Sequence, residues 1–338
     1  MISTVDAHDD LIKPMNVPII DLSLLSQESD HAKFQIMKEI HEACQKWGVF
    51  NVINHGISEF VIEEALEVNQ NFFDMPEIEK EEMLETNYGD EMLSPVKLVT
   101  FQRRAQRTDS TEVLQRDLLR LYANPLEDFM NFWPKNPSDY REKMGKYTKE
   151  VRKLGIQLFG AIMESLNLGG ATYLKENFNQ GMHMVVANRY SPYQESTNIK
   201  IGAPPHSDHS IITILLQSSP GLQVLDMADN HDHHNNGTWK SVPKLEASLQ
   251  VFVGDHLEVL SNGIYKSVWH RVIPISTSNA RISMASFHNF QIDEIVEPAK
   301  ELIDNDRPKK FKGSSVRDLL KYASSQKPVR LIDTHRII

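Results

Sequence analysis

The chain has 338 residues, 40% hydrophobic and 24% charged, enough for one large domain or two smaller ones with a full core. Its net charge of −10 argues against nucleic acid or an anionic membrane as main partner, and no apolar run approaches the roughly twenty residues of a spanning helix. A single cysteine, Cys44, excludes an internal disulfide framework, and the acidic N-terminus lacks the basic-then-apolar order of a secretory signal, so a cytoplasmic protein is expected.

Residues 1–15 are polar and unpatterned, a loose arm. Val17-Pro18-Ile19-Ile20-Asp21-Leu22 is β-branched and predicts an opening strand with proline at its edge. Phe34, Met37, Ile40, Cys44 and Trp47 recur every three or four residues, which predicts an amphipathic helix over 31–47 that Gly48 stops. Val49–Ile53 predicts a buried strand and Asn54-His55-Gly56 a turn; Ser58 caps a second helix running to Phe73. From 80 to 134 the sequence is charged, poorly periodic and interrupted by Pro95, Pro125 and Pro134, and reads as strands and loops. Tyr140, Met144, Tyr147, Val151, Leu154, Leu158, Ile162 and Leu166 mark one stripe of a long helix, with Asp139 and Glu142 at its start and Gly169-Gly170 at its end. Short strands follow at Met184–Asn188, Ile211–Leu216, Leu222–Leu225, Leu249–Val253, Leu257–Leu260, Tyr265–His270 and Arg281–Phe287, with Ser261-Asn262-Gly263 as a hairpin turn. This spacing predicts a sandwich or jelly roll. A last helix near 314–325 precedes a tail expected over a pocket mouth.

Two imidazoles and a carboxylate stand out from this pattern. Side chains two apart on an extended segment point the same way, so His206 and Asp208 face one cavity while Ser207 and His209 face away. His270, at the end of a later strand, completes a facial set of three. Such a set leaves open positions and suits oxygen-activating non-haem Fe(II); ligand types alone do not exclude zinc. The spacing by itself decides little, since His8-Asp9-Asp10 repeats it in the arm, and His231, His233 and His234 form a denser group that reads as a solvated loop. Arg281 and Ser283 decide more. Again two apart on one strand face, they offer a guanidinium and a hydroxyl to the far end of a dicarboxylate, through charge-assisted bonds of roughly 1.5–3 kcal/mol each. Asn188 and Tyr190, also two apart, can line the same pocket.

With these residues in this order, the chain resembles the plant-type 2-oxoglutarate- and Fe(II)-dependent dioxygenases over almost its whole length. Val17–Leu22, Trp47-Gly48-Val49-Phe50, Val52-Ile53-Asn54-His55-Gly56 and Phe72-Phe73-Asp74-Met75-Pro76 are similar to the family's N-terminal region. Pro204–Asp208, Pro220-Gly221-Leu222-Gln223-Val224, Val253-Gly254-Asp255, Ser261-Asn262-Gly263, His270-Arg271-Val272 and Arg281-Ile282-Ser283 are similar to its core. The resemblance implies an α+β fold: a double-stranded β-helix (jelly-roll) core backed by helices, with an N-terminal α/β region. On that pattern 1–15 is the arm, 16–134 the N-terminal region, 135–181 the backing helix and connection, 182–291 the catalytic core, and 292–338 the C-terminal helix and tail. It makes His206, Asp208 and His270 the catalytic Fe(II) ligands, puts Arg281 and Ser283 on the distal carboxylate of 2-oxoglutarate, turns Asn188 and Tyr190 toward the same cosubstrate, and turns Phe287 toward substrate.

The implied reaction takes 2-oxoglutarate and O2 to succinate and CO2, with ascorbate as reductant. It hydroxylates, demethylates, desaturates or cyclises a small plant specialised metabolite such as an alkaloid, flavonoid or phenolic. A hormone-inactivating hydroxylase of the same family is the alternative, and the protein is expected to be a monomer. A carboxylate at position 208 favours oxygenation over halogenation. A catalytically dead binder would be expected to have lost one of the five site residues, and a zinc hydrolase would leave Arg281 and Ser283 without a task. Departures from the family pattern are Arg189 and Ser191 around Tyr190, an insert over Met227–Thr238, and Leu114-Gln115-Arg116-Asp117 without the usual tryptophan.

Overall fold

Alternating side chains build two sheets in the computed structural model, which describes residues 13–27, 29–82, 94–104, 113–192, 202–226, 237–273, 278–324 and 329–337. The elements in chain order are β1 (Ile19–Asp21), α1 (Asp30–Lys46), β2 (Val49–Ile53), α2 (Glu59–Phe73), α3 (Glu77–Glu82), β3 (Val96–Arg104), β4 (Val113–Tyr122), α4 (Leu126–Phe129), α5 (Tyr140–Ser165) and α6 (Thr172–Asn179). They continue as β5 (His183–Tyr190), β6 (Ala203–His206), β7 (Ile212–Gln217), β8 (Leu222–Asp226), β9 (Thr238–Ser241), β10 (Leu249–Val253), α7 (Asp255–Leu260), β11 (His270–Val272), β12 (Arg281–His288), α8 (Val316–Ser324) and α9 (Leu331–Thr334). Among the described residues the larger sheet has the order β1-β2-β10-β7-β12-β5-β4-β3 and the smaller one β6-β11-β8-β9. This is the jelly-roll core with helices on the outer face of the larger sheet.

Strand β12 displays the logic. Ile282 and Met284 point outward into the main core, which α1, α2 and α5 share, whereas Arg281, Ser283, Ala285 and Phe287 point inward to a cavity between the sheets. The long stripe of α5 is buried, and Gly155 lets the helix approach the sheet closely, because a Cβ there would meet the His288 ring at 2.6 Å. No described helix is long and apolar enough to cross a membrane.

Several local expectations differ. Leu257–Leu260 is helical rather than extended, and Ser261-Asn262-Gly263 ends α7 instead of turning a hairpin. Asn262 and Gly263 adopt positive φ (52° and 78°), which serves a helix C-terminus as readily as a hairpin turn, so the dipeptide alone could not choose. Of Tyr265–His270 only His270 is in a strand; Tyr265 is buried with its hydroxyl 2.7 Å from Ser165 Oγ. Phe34 is 71% exposed, and the buried face of α1 is Ile36, Ile40, Ala43 and Cys44. Helix α5 ends at Ser165, and Asn167 turns the chain with φ +60° before the two glycines. The 80–134 region contains the β3–β4 hairpin at the sheet edge but also α3 and α4, and α6 was not foreseen from the sequence. The arm's His8-Asp9-Asp10 and the His231–His234 loop lie outside the described residues.

The core also buries unpaired histidine nitrogens. The rings of His183 and His288, both 0% exposed, stack with centroids 4.4 Å apart, and Arg152 approaches His288 Nδ1 at 3.3 Å. Burial, and then the neighbouring positive groups, holds both well below the ordinary histidine range; burial pushes His256 down to about 3. A depressed folded-state pKa means stability that is present above the unfolded value of about 6.5 and lost as pH falls. Between pH 7.5 and 5 the His256 contribution alone amounts to roughly 2 kcal/mol. We therefore expect the urea midpoint to drop over that interval, and to drop less in His256→Gln; a midpoint flat in pH would refute this account.

Candidate functional site

The fold draws three separated chain segments together at one end of the cavity. His206 closes β6, His270 opens β11, and the two pair directly in antiparallel register. Asp208 lies two residues beyond β6, outside the strand, yet the extended backbone still carries it to the same side. Its Oδ1 is 3.9 Å from His206 Nε2 and 3.6 Å from His270 Nε2, and one ligand atom from each residue falls within 4.8 Å of the others.

Hydrogen bonds orient both imidazoles. His206 Nδ1 lies 2.8 Å from the Pro204 carbonyl and His270 Nδ1 lies 3.3 Å from that of Val268. A carbonyl only accepts, so the ring proton sits on Nδ1 and the Nε2 lone pair faces the cavity, the tautomer a metal requires. Burial and then the adjacent His270 hold His206 well below the ordinary histidine range; the exposed part of its ring faces the cavity. Phe252 packs on His270 with ring centroids 4.8 Å apart. Two imidazole nitrogens and a carboxylate oxygen fit a divalent metal.

A second group lies further along the strands. Arg281 is 2% exposed; its Nη2 donates to Gln217 Oε1 at 2.6 Å and its Nε to the Ser219 carbonyl at 3.0 Å. Among the described residues its buried Nη1 meets no acceptor. An unsatisfied guanidinium N–H in a closed wall is costly unless a ligand meets it, and a carboxylate fits that need. Ser283 and Tyr190 line the same cavity, Tyr190 directly opposite Arg281 in register and Ser283 opposite Asn188. Burial lowers the Arg281 pKa, and Tyr190 opposes the shift, so the group stays charged. Asn188 faces the cavity, but its amide is engaged, accepting from Arg116 Nε at 2.9 Å and donating to the Val186 carbonyl at 3.2 Å. Phe287 forms part of the far wall.

The cavity encloses about 60 Å³, and its remaining walls are Arg116, Val186, Thr213, Leu215, Leu222, Phe252, Val272 and Ala285. A groove of about 410 Å³ lined by Leu66, Glu67, Gln70, Ser218 and Asn279 is larger, but among the described residues it lacks any metal-ligating group of three. Chemistry, not size, selects the smaller cavity. The described tail does not line it, contrary to expectation.

Instead the tail braces the site from behind. Asp255, fully buried on α7, accepts from Ser207 Oγ (3.1 Å) and Ser267 Oγ (2.7 Å), lies 3.4 Å from His209 Nδ1, and donates its backbone N–H to the Asp208 carbonyl at 2.8 Å. Glu258 accepts the Ser267 N–H at 3.0 Å and an Arg336 N–H at 2.9 Å. Arg330 Nη1 sits 3.6 Å from Asp255 and 3.5 Å from Glu258. Burial would raise the Asp255 pKa, but His209 and Arg330 outweigh it and hold the carboxyl below its usual range; His209 moves up in return, against its own burial. Sequence reasoning gave these residues no role, although Asp255 stands in a quoted motif. Arg116 was also missed: the alternation of Arg116 with buried Leu119 and Leu121 was the available signal, obscured by the charged surroundings.

Comparison with known proteins places this geometry. Residues 181–290 match the family model of the 2OG-Fe(II) oxygenase superfamily, and residues 17–136 match that of the non-haem dioxygenase N-terminal region in morphine synthesis. The chain is 40% identical over 326 residues to a rice (Oryza sativa subsp. japonica) chloroplastic 2-oxoglutarate-dependent dioxygenase 21, covering 96% of this chain and 92% of that one. It is 38% identical to rice flavanone 3-dioxygenase 3, covering 93% and 90%. Among solved structures, JOX2 in complex with 2OG, Fe and JA superposes with a TM-score of 0.77 at 28% identity, covering 97% and 91%.

Proposed function

The chain belongs to the 2-oxoglutarate- and Fe(II)-dependent oxygenase superfamily, and from that premise we propose that its triad and arginine wall oxygenate a small plant specialised metabolite. The observation that carries the site assignment is the pairing of a His-Asp-His cluster with a buried Arg281 Nη1 that meets no acceptor among the described residues, in one cavity. Fe(II), when bound, would let O2 act as the oxidant, with 2-oxoglutarate oxidised to succinate and CO2, one oxygen atom going into succinate and the other into a substrate C–H bond.

His206, Asp208 and His270 hold the metal. Arg281, clamped by Gln217 and the Ser219 carbonyl, binds the distal carboxylate, with Ser283 and Tyr190 beside it. Leu222, Phe252 and Val272 exclude water around the metal ligands, and Phe287 meets the substrate. Ascorbate as reductant belongs to the proposal. The flavanone and JA named for the relatives support a compact, mostly apolar substrate. On the same footing we propose a cytoplasmic monomer that binds no nucleic acid, the last point supported by the net charge of −10. A fluorescent fusion found in plastids, or a dimer mass in solution, would overturn the first two points.

The test is succinate release with Fe(II), 2-oxoglutarate and ascorbate, with products screened by mass spectrometry for gain of one oxygen or loss of a methyl. Arg281→Leu is expected to raise the KM for 2-oxoglutarate about 10- to 150-fold, the equivalent of one lost charge-assisted contact. Absence of succinate from iron-loaded wild-type protein sinks the proposal.

A further inference from the structure

Resting on that reading, we propose that Arg116 selects a substrate bearing a carboxylate. Arg116, Tyr190 and Arg281 form one row across β4, β5 and β12, because Tyr190 pairs with both arginines in register. The Tyr190 ring lies between them, 5.7 Å from Arg116 Cζ and 5.1 Å from Arg281 Cζ. Both arginines line the cavity that holds His206, Asp208 and His270.

The guanidinium of Arg116 is fixed but unspent. Its Nε donates to Asn188 Oδ1 at 2.9 Å, and Phe101 lies under it at 5.8 Å. Among the described residues neither Nη meets an acceptor. The adjacent Asp117 sits on the opposite strand face, where it pairs with Arg189 at 3.6 Å. Two parallel N–H donors on a plane held at its Nε are the geometry for a two-oxygen anion.

Charge arithmetic points the same way. Fe(II) and the 2-oxoglutarate dianion cancel, and Asp208 cancels Arg281. Among the described residues of the cavity lining Arg116 is then the one charge left over, in a space walled by apolar side chains such as Val186, Leu222, Phe252 and Val272 beside the uncharged Thr213 and Ser283. A monoanion with an apolar body neutralises it. A neutral substrate leaves a partly buried cation with no counter-charge. The ligand class is therefore a small carboxylic acid whose carboxylate sits on Arg116 and whose carbon body reaches toward the metal ligands.

The experiment is isothermal titration of the protein loaded with Fe(II) and 2-oxoglutarate under argon, using matched probes: benzoic, phenylacetic, cinnamic and indole-carboxylic acids, each with its primary amide. At least one acid is expected to bind about tenfold or more tightly than its amide, a preference reduced to under about twofold in Arg116→Gln and largely kept in Arg116→Lys. No acid preferred by the wild-type protein overturns the proposal, as does a preference that survives Arg116→Gln. It is equally overturned if Arg116→Gln weakens 2-oxoglutarate and leaves acid binding intact, because Arg116 is then a cosubstrate residue. Failure of wild-type protein to bind 2-oxoglutarate at all overturns the oxygenase reading and this proposal with it, and is read in a separate titration.

Discussion

Asp208→Ala is expected to abolish succinate formation, by more than about a thousandfold or ~4 kcal/mol in the barrier, and His270→Ala to do the same. Asp208 is the only carboxylate among the described residues lining the cavity, and it stands within 4 Å of both histidine Nε2 atoms. Its removal leaves two neutral nitrogens and no anionic ligand for a divalent ion. Metal binding measured by equilibrium dialysis should fall in step. Neither alanine variant should unfold the chain, because no hydrogen bond between strands depends on these side chains; circular dichroism checks this. Full turnover in either variant would end the assignment of the triad.

Asp255→Ala carries the second large effect, through stability rather than chemistry. Four side chains converge on this buried carboxylate: Ser207, His209, Ser267 and Arg330. Removing it leaves Ser207, Ser267 and His209 without their acceptor and takes from Arg330 one of three carboxylates, the others being Glu258 and Asp333, at a cost of about 1–3 kcal/mol for each buried donor left unmet. The serines and His209 adjoin the metal ligands in sequence, so their loss loosens both ligand segments at once. A fall of roughly 10- to 100-fold in metal affinity is expected beside the lower urea midpoint. Arg330→Ala should reproduce both changes, since Glu258 then loses one of its two cations. Unchanged metal affinity in a destabilised Asp255→Ala protein would show that the cluster serves folding alone.

The contrast between these two sites explains what could be read early. His206, Asp208, Arg281 and Ser283 are each pairs at i and i+2, and strand geometry aims such pairs without any knowledge of the fold. The bracing cluster has no such local signature. Asp255 and Glu258 lie on a helix that looked extended, and their partners Arg330 and Arg336 come from a tail more than seventy residues away. Arg116 escaped for a related reason: its strand β4 lies next to the edge strand β3, in a stretch where alternation is weak and charge is dense.

By itself, the sequence determined the element types wherever apolar periodicity was strong, as in α1, α2, α5 and the β-rich core, and it determined the ligand types and their order. Periodicity and strand alternation are local properties, so the chain carries them openly. Only the tertiary structure decided that Asn262-Gly263 ends a helix, that the C-terminal arginines lie behind the metal site rather than over its mouth, and that Arg116 shares a row with Tyr190 and Arg281. Those facts depend on which distant segments pair, and pairing is a property of the whole fold.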